Sequence, residues 1–463
     1  MPKPCPCRSA IRAAGALLVP LALFGCSQHI EYQRPALPVA AAWTDPSSGE
    51  VGSHPRPTEW RAFFSDPRLQ ALIDAALEYN RDLRIALARV DEARAMRDIA
   101  RADLFPALNL TAGESASGTP SGVFSAGRSY TATPTISYEI DFWGRVASLS
   151  EASRASFLAS EEARKALRLS LISEVADLYF SQLELDERLS FVRSTVASRQ
   201  QARELIRQVR EVGAASRLDY LQADSAFETA RSELAGLERQ RANAENALTL
   251  LVGQLPRELP DGKPLAEQDI DTNLAVGLPS EVLLTRPDIA AAEQRLRAAH
   301  ANIEAARAAF LPKILLTAGI GFASPALAGL FSASKTAWNY QPMLSLPLFD
   351  AGRTEAGVNL SVARKNIAVA EYEKSIQTAF REVADLLAAR AALAVQRRAA
   401  EANLAAQQER TTIAQTRFQI GVGGYLEILD AQRDALSAQQ TVVQIQHAQL
   451  SSAAQLYKAL GGG

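Results

Sequence analysis

Residues 145–212 contain neither proline nor glycine, 68 consecutive positions with nothing to stop a helix. At 1.5 Å per residue such a helix is a rod of roughly 100 Å, too long to be one element of an ordinary globular core. Leu171, Val175, Leu178, Leu185, Leu189, Val192 and Val196 mark its seam, with steps of 4, 3, 7, 4, 3 and 4. That spacing is close to a heptad stripe and predicts packing as in a coiled coil. Residues 353–420 have the same character, interrupted only by Gly357. Shorter helices are predicted at about 82–105, 218–252, 288–310 and 425–460, two stacked end to end along each rod.

The two rods belong to two similar halves. The residues around Pro106, Ala-Arg-Ala-Asp-Leu-Phe-Pro, match Ala-Arg-Ala-Ala-Phe-Leu-Pro at Pro312, an offset of 206. Gly144-Arg145 matches Gly352-Arg353, and Val212-Gly213 matches Ile420-Gly421, both at an offset of 208. An insertion of two residues between the paired prolines and the paired Gly-Arg motifs accounts for the difference. Each half reads helix, strand, loop, strand, long helix, turn, helix, and self-similarity at a fixed offset is the mark of a repeat.

The strands alternate. Every even position from Tyr130 to Phe142 is apolar or carries a ring, and every odd one from Ser129 to Asp141 is polar. Leu108, Leu110 and Ala112 continue the pattern after Pro106. Ile314, Leu316, Ala318, Ile320 and Phe322 do so after Pro312, with Leu315 out of step. Trp338, Tyr340, Leu344, Leu346 and Leu348 make a fourth run. The predicted strands are about 107–117, 129–142, 313–323 and 337–349, joined in pairs by Gly/Ser/Pro-rich loops near 118–127 and 325–335. Pro134 and Pro342, again 208 apart, predict a bulge or bend.

The commoner use of such alternation is a hairpin packed on a soluble core. Against that stand the polar faces, almost all Ser, Thr, Asn and Gln, and strands longer than the roughly 5–6 residues usual in globular sheets. A tilted run of about 10 residues crosses an outer membrane, with aromatics near the interfaces. Tyr130, Tyr138, Trp143, Trp338 and Tyr340 suit that girdle. Tyr130, Ile136, Tyr138 and Ile140 would face lipid, and Ser129, Thr131, Thr133 and Thr135 water. Glu139 and Asp141 would lie low, near the turn into the rod. Single-chain barrels start at about 8 strands and lipid tolerates no open sheet edge. Membrane-spanning strands would thus require several copies of the chain to share one barrel.

Lys3, Arg8 and Arg12 precede an apolar run at 13–24, too short for a spanning helix. Leu23-Phe24-Gly25-Cys26 follows and resembles a lipobox, in which Cys26 would be acylated as the first mature residue. Ser27 stands where an Asp would favour inner-membrane retention, so an outer-membrane destination is expected. Cys5 and Cys7 fall in the signal, so no disulfide or thiolate metal site is expected in the mature chain. The formal charge of −2 excludes the basic footprint of a nucleic-acid binder. His29, His54, His300 and His447 show no metal-ligand spacing, and only three Met are present. No catalytic constellation, metal site or cofactor is expected.

From about Trp60 to Gly461 the chain resembles the outer-membrane efflux protein family, the TolC- and OprM-like channels. It is most similar to the lipoprotein members that serve resistance–nodulation–division pumps. The stretch carrying most of the likeness is Leu278-Pro-Ser-Glu-Val-Leu-Leu-Thr-Arg-Pro-Asp-Ile289, followed by Ala292-Glu293 and Phe310-Leu-Pro-Lys-Ile314. Tyr425-Leu-Glu-Ile-Leu-Asp-Ala-Gln-Arg433 and Leu456-Tyr-Lys-Ala-Leu-Gly-Gly462 add to it. The resemblance implies a mixed, mostly α fold. A homotrimer would share one 12-stranded transmembrane β-barrel and a long coiled-coil-like periplasmic α-barrel, closed by cyclic symmetry.

The expected parts are a signal at 1–25, an acylated extended segment at 26–65, a first repeat at 66–252, an equatorial linker at 253–285 and a second repeat at 286–463. Gly144, Arg145, Gly352 and Arg353 mark the strand–helix junctions. Gly213, Gly421, Gly423 and Gly424 mark the periplasmic tip turns. By resemblance Leu426 and Asp430 would form apolar and anionic rings narrowing the pore, and Arg433 would help hold the tip shut. Asp219 and Asp224 lie near the equivalent first-repeat turn, although acidic residues also suit the first turns of a helix. The partners implied are a periplasmic adaptor, an inner-membrane resistance–nodulation–division transporter and outer-membrane lipid. The function implied is a passive exit duct for small toxic compounds. A channel for type I protein secretion is the alternative.

Overall fold

The computed structural model describes residues 32–36, 38–40, 59–117, 127–256, 258–270 and 283–462. The signal, Cys26, most of the first hairpin loop and the start of the motif at Leu278 lie outside the described residues. In chain order the helices and strands are α1 (Trp60–Phe63), α2 (Pro67–Tyr79), α3 (Arg81–Ala102), β1 (Ala107–Ser117), β2 (Gly127–Ile140), α4 (Arg145–Glu211) and α5 (Arg217–Val252). Then come α6 (Pro287–Ala308), β3 (Lys313–Ser324), β4 (Thr336–Ser345), α7 (Arg353–Gln419) and α8 (Tyr425–Ala459). The order helix, two strands, 67-residue helix, shorter helix occurs twice. Gly357 lies inside α7 without ending it, because a lone glycine costs a helix only about 1 kcal/mol. No described helix is long and apolar enough to cross a bilayer.

The chain divides into two compact units. The first takes Met1–Ala36, Arg89–Glu161 and Ala291–Tyr372 and holds the sheet. All four strands join it, antiparallel, in the order β1-β2-β3-β4. The register preserves parity across every pair: Leu108 stands opposite Ile136, Ile136 opposite Ala318, and Ala318 opposite Tyr340. One face is therefore mostly apolar and the other mostly Ser, Thr, Asn, Gln and Gly, with Leu315 and Met343 as its large apolar exceptions. The apolar face is bare, with Leu110, Ile320, Trp338 and Leu344 all exposed. Glu114 is the charged exception on β1, paired at 3.8 Å with Arg128 near the loop end.

Two expectations about the strands need correction. β2 ends at Ile140 and β4 at Ser345, short of the expected 142 and 349. Chemistry at the junctions ends them. The Asp141 carboxylate accepts the N–H groups of Val146 at 3.1 Å and Ala147 at 2.7 Å, capping α4 instead of continuing the strand. Asp350 does the same for Thr354 N–H at 2.8 Å, and Pro347 cannot donate to a ladder. Trp143 is accordingly in a turn and not on the girdle of a strand, its Nε1–H donating to Pro312 O at 2.8 Å.

Glu139 sits at the foot of the polar face. It takes a bidentate pair from Arg145, nearest contact 2.8 Å, and Lys313 Nζ at 2.8 Å. This joins β2, β3 and the start of α4. The N-terminal segment is tied to the same unit, with Arg34 Nη2 2.6 Å from Glu293 and Arg297 over the Tyr32 ring.

The second unit takes Leu37–Ala88, Glu162–Ala290 and Glu373–Gly463. Its core is a cluster of buried residues that includes Phe64, Leu72, Val175, Phe180, Val252 and Tyr457, drawn from α2, α4, α5 and α8 and the residues beside them. Asp66 caps α2, and Pro67 occupies the first helical position, where no N–H is needed. Asp66 is only 1% exposed and also accepts Tyr179 OH at 2.8 Å, Lys263 N–H at 2.9 Å and Gln268 Nε2 at 2.7 Å. Burial pushes its carboxyl up, but those hydrogen bonds outweigh burial and hold it below the usual range. The buried Arg286 of the Arg-Pro-Asp motif reaches Asp288 at 2.7 Å, Glu382 of α7 at 2.9 Å and Ala459 O at 3.2 Å. A guanidinium there suits the negative end of α8.

Candidate functional site

The two long helices end alike. α4 ends at Gly213, φ +78°, with Ala214 N–H donating to Val209 O at 3.0 Å. α7 ends at Gly421, φ +77°, with Val422 N–H donating to Arg417 O at 3.0 Å. This geometry satisfies carbonyls left over at a helix end and needs a left-handed residue, which glycine supplies without strain. A Cβ on Gly213 or Gly421 would meet nothing, so conformation and not room selects glycine at both. Gly423 differs, since a Cβ there would sit 3.1 Å from Arg417. Gly424 is the N-cap of α8. At the other ends of α4 and α7, Gly144 and Gly352 have φ of +72° and +83°. Arg145 begins α4 in its pair with Glu139, and Arg353 begins α7 with its N–H on Asp350 O.

Beside the turns, α5 and α8 enclose a cleft of about 570 Å³. Leu218 and Leu221 come from α5, and Leu426, Leu429, Asp430 and Arg433 from α8. Three of the five expected gate residues thus meet in one place. Asp430 is partly exposed and lies 3.2 Å from Arg433 Nη1. Arg433 also reaches Asp434 at 3.1 Å, and Asp434 takes Arg410 of α7 at 2.7 Å. Hydrogen bonding from Arg410, then from Arg433, holds the Asp434 carboxyl below its usual range. The Arg410–Asp434 pair fastens α8 to α7, while Arg433 bridges Asp430 and Asp434 within α8.

The other two gate residues lie elsewhere. Asp219 completes a capping box: Ser216 Oγ accepts Asp219 N–H at 3.1 Å, and the Asp219 carboxylate accepts Ser216 N–H at 3.0 Å. Hydrogen bonds from Ser216 hold the Asp219 carboxyl below its usual range. Asp224 faces Arg203 of α4 at 3.4 Å, and that guanidinium also stacks over Phe227 at 4.7 Å.

Arg199 of α4 is a residue of this site that sequence reasoning missed. It lines the cleft 8% exposed, with Nη1 donating to Ala226 O at 2.8 Å and Nε without a hydrogen-bond partner among the described residues. Burial pulls its pKa down, but a guanidinium stays charged at any physiological pH. A signal was present: Leu189, Val192 and Val196 step by 3 and 4, and the next step of 3 lands an arginine in the apolar seam. Among the described residues no cluster of His, Cys, Asp and Glu could hold a metal ion. What the cleft offers is a buried cation, an ion pair at its surface and a leucine wall where α4, α5 and α8 meet.

These elements define a class of protein, the outer-membrane efflux channel. The chain belongs to the outer membrane efflux protein family, whose model matches residues 72–254 and 278–462. A toluene efflux pump outer membrane protein of Pseudomonas putida, TtgC, is 42% identical over 461 residues, covering 95% of this chain and 93% of its own. Outer membrane protein OprJ of Pseudomonas aeruginosa is 41% identical, covering 97% and 95%. Cation efflux system protein CusC of Escherichia coli is 40% identical, covering 96% and 97%. Among solved structures, the open state of the Neisseria gonorrhoeae MtrE outer membrane channel superposes with a TM-score of 0.86 at 37% identity. It covers 95% of this chain and 98% of that one.

Proposed function

We propose that three copies of this chain form the outer-membrane exit duct of a tripartite efflux pump, carrying drugs or other small toxic compounds from periplasm to exterior. The observation that carries this reading is the sheet: four strands, one apolar face bare, and both outer edges, β1 and β4, without a partner strand among the described residues. Three such sheets close 12 strands, apolar outward and Ser/Thr-lined inward, as an outer-membrane barrel requires. The two halves of the chain are structural repeats, 66–252 and 286–463, joined by a linker at 253–285. Residues 1–25 are a lipoprotein signal, and Cys26 is acylated to anchor the mature N-terminus at 26–65 in the outer membrane.

The helices continue the duct into the periplasm and close it at the tip turns. Leu426 and Asp430 from three copies narrow the pore, and Arg433 helps hold the tip shut by ordering Asp430 and Asp434 along α8, where Arg410 of α7 grips Asp434. A periplasmic adaptor engages the tip and releases it. The inner-membrane resistance–nodulation–division transporter supplies the energy, so the duct itself is passive. The names of the relatives, for toluene, antibiotic and cation efflux, favour this cargo class over secreted proteins. Deleting the gene tests the reading. Susceptibility to a panel of antibiotics, dyes and aromatic acids rises, and re-expression restores it. Loss of protein secretion at unchanged susceptibility overturns it.

A further inference from the structure

A second cavity, of about 730 Å³, lies in the second unit among α2, α3, α4 and the end of α8. It is remote in sequence from the tip and shares no lining residue with the tip cleft. Its lining combines apolar residues, among them Trp60, Leu83, Leu87, Leu169 and Tyr457, with four cations, Arg84, Arg164, Lys165 and Arg168. Glu78 is the only acid among the described lining residues.

The cations are poorly compensated. Lys165 pairs with Glu162 at 2.7 Å. Arg84 makes a long contact to Glu78 O at 3.4 Å and lies 6.0 Å over the Tyr79 ring, with no carboxylate partner among the described residues. Arg164 and Arg168 have no ion pair or side-chain hydrogen bond among the described residues. They lie one turn apart on the same helix, where like charges repel. An anion between them relieves that repulsion, and guanidinium forks match the oxygens of a carboxylate, sulfonate or phosphate. The volume is within the range of about 300–1,000 Å³ that small-molecule sites occupy.

We propose that this cavity binds an amphipathic anion, its acidic head on Arg84, Arg164 and Arg168 and its aromatic or aliphatic body against Trp60, Tyr457 and the leucines. The bound molecule links α3 to α4 at the level of the core. The site is independent of the exit-duct reading, because its occupancy is measured without any transport.

The test is isothermal titration of 2-naphthalenesulfonate into the full chain in lipid nanodiscs. Saturable binding of one molecule per chain is expected. The uncharged 2-naphthol binds at least tenfold more weakly, and Arg164→Ala/Arg168→Ala loses at least tenfold in affinity for the sulfonate. Arg164→Lys/Arg168→Lys, which keeps charge and helix propensity, gives an intermediate loss and guards against misfolding. Asp430→Ala leaves binding unchanged. Absence of saturable binding, equal affinity for the neutral probe, or undiminished binding in the alanine variant overturns the proposal. So does an alanine variant that dissociates into single chains while the parent binds no probe, which would make these arginines contacts between copies.

Discussion

At the scale of single residues, the polar groups that matter are those whose partners come from far along the chain. Helix α2, begun by Asp66-Pro67, is missing from the helices the sequence predicts. The convergence of Asp66 with Tyr179, Lys263 and Gln268 is not legible either, since those residues lie 113, 197 and 202 positions away. Asp66→Asn tests the cluster. Asparagine can still cap α2, but one amide nitrogen must replace an oxygen that accepts three hydrogen bonds. An unfolding free energy lower by about 2 kcal/mol is expected, the cost of leaving buried donors unmet. The pH dependence follows from the direction of the shift. Because the folded carboxyl lies below its unfolded value, its contribution is whole above about pH 5 and is lost as pH falls through the folded value. The variant's stability should therefore fall less steeply with acid than the parent's, as read by denaturant titration at stepped pH. Arg199 was half legible, as a break in a heptad seam. Its position at the cleft depends on α5 and α8, which no local pattern brings together.

Among elements, the helices and strands were largely readable because each carries its own period, 3.5 for the rods and 2 for the strands. The runs without a helix stop read as 145–212 and, with Gly357 inside it, 353–420, and α4 and α7 span Arg145–Glu211 and Arg353–Gln419. The strand ends were less legible. Leu346 and Leu348 keep the alternation going in letters, but the Asp350 cap recruits the backbone for α7. Parity within β2 makes a prediction that neighbouring residues distinguish. Ile136 is on the apolar face and Thr135 on the polar one. Arginine on the lipid side of a barrel costs about 2–4 kcal/mol near the midplane. Three copies multiply that cost, so Ile136→Arg should sharply reduce the heat-resistant assembly recovered from outer membranes. Thr135→Arg should be recovered at parental levels. Equal recovery of the two would place the sheet outside lipid.

As the exit duct we propose, a single chain is incomplete, and the incompleteness has a number. Four strands per copy permit shared barrels of 8, 12 or 16. Eight strands enclose a space that side chains alone can fill, which is no duct. The polar face here is built mostly of Ser, Thr, Asn, Gln and Gly, short groups that leave the centre of a wider barrel to water. On that reading, three copies are the smallest assembly that conducts. Native mass spectrometry of the detergent-extracted protein should therefore give three chains, and a mass of two or four would refute the closure. On the proposed gate, the same trimer in a planar bilayer should conduct weakly, with α8 fastened to α7 by Arg410 on Asp434 and with Arg433 set between Asp430 and Asp434. Asp430→Ala/Arg433→Ala removes the proposed anionic ring and the cation that orders Asp434 for Arg410, without touching the glycine turns or the Asp219 cap. Conductance should rise severalfold while the mass stays at three chains. An unchanged conductance in an intact trimer would move the constriction away from α8, to a different part of the duct.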